Sequence, residues 1–117
     1  MKKATKLLAV MLAMVTAACT LTACGGGSSK GEAITFGTNA EFPPFEYVTS
    51  SGVIGEFDGI DMAIAKQIAE ENGMTAKMEN MEFDSLLVAL QNGQIDAVIA
   101  GMTATDERRE TVDFSTP

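Results

Sequence analysis

The segment from Gly101 to Arg108 combines residue types that can hold a carboxylate group. An apolar strand is predicted to end at Gly101, a loop carrying Thr103 follows, and a helix opens with Arg108 in its first turn. Backbone N–H groups of Gly101 and Thr103 and a bidentate guanidinium would converge where open α/β sheets bind ligands. By spacing alone, however, an arginine in a first helical turn is more commonly solvated or paired with an acid.

Two phenylalanines are placed to reach the same crevice. Phe42 opens a Phe-Pro-Pro-Phe turn after the first predicted strand, and Phe83 comes just before the second predicted helix. Rings at the carboxyl ends of strands could sandwich the apolar stem of a small ligand. Core packing explains Phe42 and Phe83 equally well, and it is the favoured interpretation of Phe45, Phe57 and Phe114.

Most catalytic and metal chemistry lacks the residues that it needs. The chain has no histidine, only two cysteines, and 16 acidic against 8 basic residues, for a net charge of −8. Histidine chemistry is therefore excluded, the segment after the predicted signal peptide has no cysteine besides the predicted anchor Cys24, and the negative charge disfavours nucleic acid. Asp58 and Asp61 lack the spacing of a calcium loop, and Glu41 and Glu46 could pair only by an accident of the fold. We predict no catalytic residue, metal, cofactor or nucleic-acid partner.

The first 23 residues are interpreted as a lipoprotein signal peptide. Three lysines precede an apolar run of 12 residues, 7–18, which is shorter than the roughly 20 residues of a membrane span. Residues 21–24 (LTAC) resemble a bacterial lipobox better than the residues before Cys19, so Cys24 is the predicted lipidated residue. Residues 24–33 form the anchor and a flexible tether. A secretory peptide cut near Ala23 is the alternative.

The elements that would position the site alternate between strand and helix. Strands are predicted at 34–38, 75–80 and 95–101, and helices from about 60 to 72 and from 84 or 85 to 92. Residues 39–44 are a predicted loop, and 45–48 with 53–57 a predicted hairpin. A short helix opens at 106 and a further strand at 112–114. This order predicts an α/β fold with a parallel sheet.

The first predicted helix carries an apolar stripe and both of its end signals. Ile60, Ile64 and Ile68 are expected to face the core, with Met62, Ala65 and Ala69 widening the stripe. Asp61 is expected to cap the start, and Gly73 to end the helix in a left-handed conformation.

Four blocks of sequence, in this order and spacing, resemble the polar amino-acid-binding proteins of ABC importers, the bacterial extracellular solute-binding proteins of family 3. They are GTNAEFPPF (37–45), GIDMAIA (59–65), FDSLLVAL (83–90) and AGMTATDERR (100–109) running on to DFS (113–115). The resemblance spans residues 34–117. It implies the first lobe of a periplasmic-binding-protein-like type II fold, doubly wound, with a mainly parallel sheet, helices on both faces, and an incomplete lobe.

The resemblance also assigns roles at the carboxylate end of a ligand. Arg108 is implied to bind the α-carboxylate of a free amino acid, helped by N–H groups at Gly101 and Thr103. Ala100 would lie near the α-amino group.

At the side-chain end, the resemblance implies that Phe42 and Phe83 flank the ligand and that Asn39 contacts its far end. Asn39 stands where an aspartate is common in the family, which disfavours a cationic ligand side chain.

The implied protein is a monomeric, non-enzymatic receptor that is held outside the cytoplasm by its lipid and passes an amino acid to the permease subunits of an ABC importer. Alternatives are a dehydratase-like enzyme or a sensor on the same scaffold, or a nonfunctional truncated product. Because members of the family have two lobes, we expect an open sheet edge, exposed apolar surface and feeble binding by this chain.

Overall fold

The structure, a computed structural model, describes residues 31–117. The predicted signal peptide at residues 1–23, Cys24 and most of the tether lie outside the described residues. No helix of the described part is long and apolar enough to cross a membrane. In chain order the elements are β1 (Ala33–Thr38), β2 (Glu41–Phe42), β3 (Glu46–Val48), β4 (Phe57–Asp58), α1 (Ile60–Glu71), β5 (Thr75–Asn80), α2 (Leu86–Gln91), β6 (Ala97–Val98) and α3 (Asp106–Arg109).

A parallel three-stranded sheet with the order β5-β1-β6 forms the centre of the fold. Its middle strand is buried at Phe36 and Thr38, which are 3% and 0% exposed. β1 and β5 were predicted correctly. The third strand was predicted from 95 to 101 but is regular only at 97–98, although hydrogen bonds to β1 continue on both sides of it, from Asp96 N–H to Thr35 O (2.9 Å) and from Ile99 N–H to Gly37 O (3.0 Å).

A second, antiparallel sheet with the order β2-β3-β4 follows β1. The predicted hairpin is confirmed in outline, but its second strand is Phe57–Asp58, because residues 53–56 turn back on themselves through hydrogen bonds such as Gly52 N–H to Gly55 O (2.8 Å). The prediction of a loop at 39–44 is wrong at Glu41–Phe42, which pair with Tyr47 and Glu46 as β2.

Helix α1 packs on β5 and β1 through a face of small residues. Ala65 and Ala69 are buried, as predicted, and Met62 is fully buried between them and the start of the helix. The expectation that the isoleucines face the core is wrong, since Ile60, Ile64 and Ile68 are 50%, 45% and 42% exposed. Alanines let a helix approach a sheet closely, and the bulkier isoleucines are left on the flank of that contact.

Backbone groups, rather than a side chain, terminate α1 at both ends. The N-cap is Gly59 and no side chain caps it, so the predicted capping by Asp61 is wrong. Gly73 ends the helix as predicted: its φ is 69°, and the N–H groups of Gly73 and Met74 donate to Glu70 O (3.1 Å) and Ala69 O (2.8 Å). This pair of bonds satisfies carbonyls that the helix would otherwise leave free.

Helix α2 supplies the apolar core beneath the site. A 3₁₀ turn at Phe83–Ser85 leads into it, so the helical segment begins slightly earlier than predicted. Leu86 and Ala89 are buried with Ile95 and Ala100, whereas Leu87 and Leu90, predicted to point inward, are half-buried.

The segment after β6 forms α3 as predicted but no further strand. Thr105 caps α3 by accepting the Arg108 N–H at 3.3 Å. The predicted strand at 112–114 is wrong, because no other strand of the described chain pairs with this segment. Val112 and Phe114 instead border, with Ile64, Ile68 and Val98, a large apolar groove of about 600 Å³ beside β6. The expected open sheet edge and exposed apolar surface are thus present in residues 31–117.

Candidate ligand-binding site

The guanidinium of Arg108 lies over the ring of Phe83, with Cζ 5.4 Å from the ring centroid. Its Nη1 donates to the carbonyl of Thr103 at 2.8 Å, which fixes the side chain against the loop before α3. Arg108 is half-buried and forms no ion pair with any carboxylate of the described residues. Of the two alternatives, solvation or pairing with an acid, the structure therefore does not show pairing.

Arg108 and Phe83 border one open groove of about 280 Å³ between α2 and α3, here called the arginine groove. Its lining residues are Phe83, Asp84, Leu87, Met102, Glu107, Arg108 and Thr111. A guanidinium with free donors, an aromatic face and apolar side chains is the combination that binds a small molecule with a carboxylate and a carbon stem.

Phe42 does not border the arginine groove, contrary to the expectation of one crevice shared with Phe83. Its ring is 56% exposed and lies beside Gly101, where a methyl group built on Gly101 would be 3.8 Å from Phe42 Cδ1. Gly101 has a φ of +57°, a conformation that favours glycine. The loop from Gly101 to Thr103 therefore has Phe42 near its start and Arg108 bonded to its end.

Asn39 lies at the carboxyl ends of β1 and β5. Its Nδ2 donates to Met81 O at 3.2 Å, and the neighbouring Ala40 N–H donates to Asn80 Oδ1 at 2.9 Å. These bonds join the two strand ends that precede Phe42 and Phe83. Asn39 is thus held by the chain segment that leads to Phe83.

Ala100 and Thr103 differ in how far they are exposed to solvent. Ala100 is 6% exposed and packs in the core cluster of Leu86, Ala89 and Ile95, so only its backbone could face a ligand. Thr103 is exposed, and its carbonyl is occupied by Arg108.

A buried carboxyl group that sequence reasoning missed lies behind the Phe42 turn. Glu46 is 2% exposed, and its Oε2 accepts from the hydroxyl of Thr38 at 2.8 Å. Burial raises the pKa of Glu46 to about 7; the Thr38 hydrogen bond opposes this shift, and the charge of Asp61 adds to it. No sequence signal could have found the cluster, because Thr38, Glu46 and Asp61 come from β1, β3 and α1. The considered pair of Glu41 and Glu46 does not form, since Glu41 is exposed.

The aromatic residues assigned to the core also differ from expectation. Phe45 is 40% exposed and stacks on Phe42, so its interpretation as a core residue is wrong. Phe57 and Phe114 are half-buried, and Phe114 lies under the guanidinium of Arg109. Residues 31–117 contain no group of three acidic, histidine or cysteine side chains placed to hold a metal.

The parallel sheet with its connecting helices defines the described chain as an α/β lobe. Residues 34–117 match the family described as bacterial extracellular solute-binding proteins, family 3, and the chain belongs to this family.

Named relatives agree with this assignment. The chain is 39% identical over 111 residues to the arginine-binding extracellular protein ArtP of Bacillus subtilis, covering 89% of this chain and 42% of ArtP. It is 33% identical over 116 residues to a probable histidine-binding protein of Neisseria gonorrhoeae, covering 92% of this chain and 42% of that protein. The chain thus spans less than half the length of these relatives.

The chain also resembles a solved structure of a single domain. The arginine-bound form of domain 1 from TmArgBP superposes with a TM-score of 0.67 at 41% identity, covering 73% of this chain and 65% of that one. The predicted fold, part of the first lobe of a periplasmic-binding-protein-like protein, is confirmed by this match.

Proposed function

We propose that this chain captures a free amino acid for an ABC importer and that Arg108 holds the α-carboxylate of the ligand. The observation that carries the proposal is the guanidinium of Arg108, placed over Phe83 in an open groove and bonded to a backbone carbonyl rather than to an acid. In a chain with twice as many acidic as basic residues, a guanidinium left without an acidic partner is suited to an anion brought by a ligand.

The remaining site residues divide between the two ends of the ligand. Gly101 and Thr103 would offer N–H groups to the carboxylate, and the backbone of Ala100 would lie near the ammonium group. Phe83 would flank the side chain from within the arginine groove, and Phe42 would do so from its place beside Gly101. Asn39, held at the strand ends by Met81 O, would meet its far end.

A basic amino acid is the ligand class that we favour. Relatives are named for arginine and histidine, and the carboxylates of Asp84 and Glu107 border the same groove as Arg108. Their negative field favours a cationic side chain. This outweighs the argument from Asn39, because a neutral amide still accepts hydrogen bonds from a guanidinium or imidazolium.

The proposed location of the receptor and its attachment to the membrane rest on the first residues of the chain. Lipid on Cys24 would hold a monomer outside the cytoplasm, close to the permease subunits to which the amino acid is handed. In this role the protein binds its ligand without chemical change. The solved relative is a single domain in its arginine-bound form, which supports ligand capture by one lobe.

Calorimetric titration of the full chain with arginine, histidine and glutamine tests the proposal. Arginine should bind, and agmatine, which lacks only the carboxylate, should not. Arg108→Ala should weaken arginine binding by roughly 2–5 kcal/mol, the cost of removing one partner of a desolvated charge pair.

Arg109→Ala is a matched control, because Arg109 is the next residue and lies over a phenylalanine ring at the same 5.4 Å. It does not border the arginine groove and should leave binding unchanged. Equal losses in the two variants, or equal binding of arginine and agmatine, would refute the assignment of Arg108.

A further inference from the structure

Two large aromatic rings stack on each other at the surface beside the candidate site. The ring centroids of Phe42 and Phe45 are 5.4 Å apart and their planes differ by 20°. The rings are nevertheless 56% and 40% exposed, so the pair contributes little to the core. Contiguous exposed apolar surface is a feature of ligand-binding and interaction sites.

The backbone around Phe45 is held firmly by its neighbours. Phe45 N–H donates to Phe42 O at 3.0 Å, which closes the turn, and the carbonyls of Pro44 and Phe45 accept from Ile60 N–H (3.2 Å) and Asp61 N–H (3.0 Å) at the start of α1. These are helix-terminal donors that need a partner. The turn is thereby attached to the first residues of a 12-residue helix.

Close contact at Gly59 makes this attachment specific. Gly59 has a φ of +124°, and a Cβ atom built there would overlap the carbonyl group of Phe45. On the other side of Phe45, Glu46 is buried and bonded to Thr38. The backbone from which the Phe45 side chain projects is therefore held in place by its contact with Gly59 and by the burial of Glu46, the next residue.

Phe42 has much weaker support of its own. It lies in a two-residue strand, and its ring has Phe45 as its stacking partner and Gly101 as a neighbour that carries no side chain. Removing Phe45 would leave little to restrict rotation of the Phe42 ring.

We propose that Phe45 is a positioning residue that fixes the ring of Phe42 beside Gly101, in the orientation needed to flank a ligand side chain. The inference rests on the proposed function for its consequence, but the positioning itself is a property of the chain without ligand. A fixed ring favours ligands whose side chains stack, such as the guanidinium of arginine, over those that do not.

The first test needs no ligand. The chain has no tryptophan, so Phe42→Trp introduces a single indole whose fluorescence anisotropy reports ring mobility. Adding Phe45→Ala should lower the anisotropy, because a ring without its stacking partner moves on the picosecond to nanosecond scale. Val48→Ala, an exposed change in the same small sheet, should not lower it. Unchanged anisotropy on loss of Phe45 would overturn the positioning role, whatever the binding data show.

The second test is a double-mutant cycle on arginine binding by the full chain. Phe45→Ala should weaken binding about threefold to tenfold, the range that corresponds to the energy of an aromatic pair. Phe45→Leu, which keeps apolar bulk and guards against a failure to fold, should show most of this loss. In a Phe42→Ala background neither change should have a further effect. Full additivity would overturn the proposal, because Phe45 would then act independently of Phe42.

The two proposals fail in different ways. If the unmutated chain takes up no amino acid while Phe45→Ala still lowers the anisotropy of Trp at position 42, the proposed function is wrong and the positioning role is supported. If arginine binds and the anisotropy does not change, the proposed function is supported and the positioning role of Phe45 is wrong.

Discussion

The carboxyl group of Glu46 should make folding stability fall as the pH rises towards neutrality. The side chain is 2% exposed and accepts a hydrogen bond from the hydroxyl of Thr38, while Asp61 lies close enough to raise its pKa further. Its pKa is about 7 in the folded chain against 4.5 for an ordinary glutamate. Between these pH values the folded state therefore retains a proton that the unfolded state releases.

The sign and size of the effect follow from proton linkage. The contribution of Glu46 to stability is fully present below pH 4.5 and is lost as the pH rises through 7, because the folded state must then bury a charge. The slope is about 1.4 kcal/mol per pH unit between these limits, so the loss amounts to roughly 3 kcal/mol in all. This is a large part of the stability of a small domain.

Glu46→Gln is the informative variant, because an amide resembles the protonated carboxyl group and has no charge to lose. Urea denaturation of both proteins from pH 4.5 to 8 gives the difference in the free energy of unfolding. The difference should be near zero at the acid end, and the glutamine variant should be more stable by up to roughly 3 kcal/mol at pH 8. Glu41→Gln, an exposed change of the same type, should leave the slope of stability against pH unaltered.

Parallel curves for the unmutated chain and the Glu46→Gln variant would refute the reasoning. So would a glutamine variant that loses stability at every pH, since that would mean that the ionised carboxylate, and not its protonated form, is the group that the fold accommodates.

Two further predictions concern packing and anchoring. Met62→Ala should lower the free energy of unfolding by roughly 2–5 kcal/mol, because Met62 is fully buried. Ile64→Ala, at a residue 45% exposed, should lower it by less than half as much in the same urea titration. Equal losses would show that α1 packs on the sheet through a different face. Cys24→Ala should abolish incorporation of radiolabelled palmitate in cells and release the protein from the membrane fraction. Cys19→Ala, the matched control, should do neither. Labelling that depends on Cys19 instead would show that Cys19 is the lipidated residue.

Local sequence signals were sufficient to predict the strands β1 and β5 and the C-terminal ends of the helices α1 and α2. The left-handed glycines Gly73 and Gly93 follow asparagine at the end of an apolar period, and their φ values of 69° and 70° are those that such a helix end needs. The start of α3 at residue 106 was also predicted, and the cap that fixes it links groups only three residues apart, Thr105 Oγ1 and the Arg108 N–H. Such features depend only on residues that are close in the sequence, so they can be predicted without the tertiary structure.

Strand lengths and the buried face of α1 could not be read in the same way. A strand exists only where a partner supplies hydrogen bonds, so residues 112–114 form no strand in the described chain despite suitable residue types. The apolar residues of α1 cover more of its surface than the sheet can bury. The contact is made by Met62, Ala65 and Ala69, and this choice depends on how closely the helix approaches the sheet.

The sequence by itself determined the family and the α/β class, and its resemblance to that family pointed to Arg108 as the candidate carboxylate-binding residue. Only the tertiary structure decided what surrounds that arginine. Phe83 is 25 positions away and meets it because the 3₁₀ turn before α2 and helix α3 border the same groove, while Phe42 lies beside Gly101 and stacks on Phe45. Glu46 is buried beside Asp61 for the same physical reason: contacts between separate elements are set by packing, which no local pattern encodes.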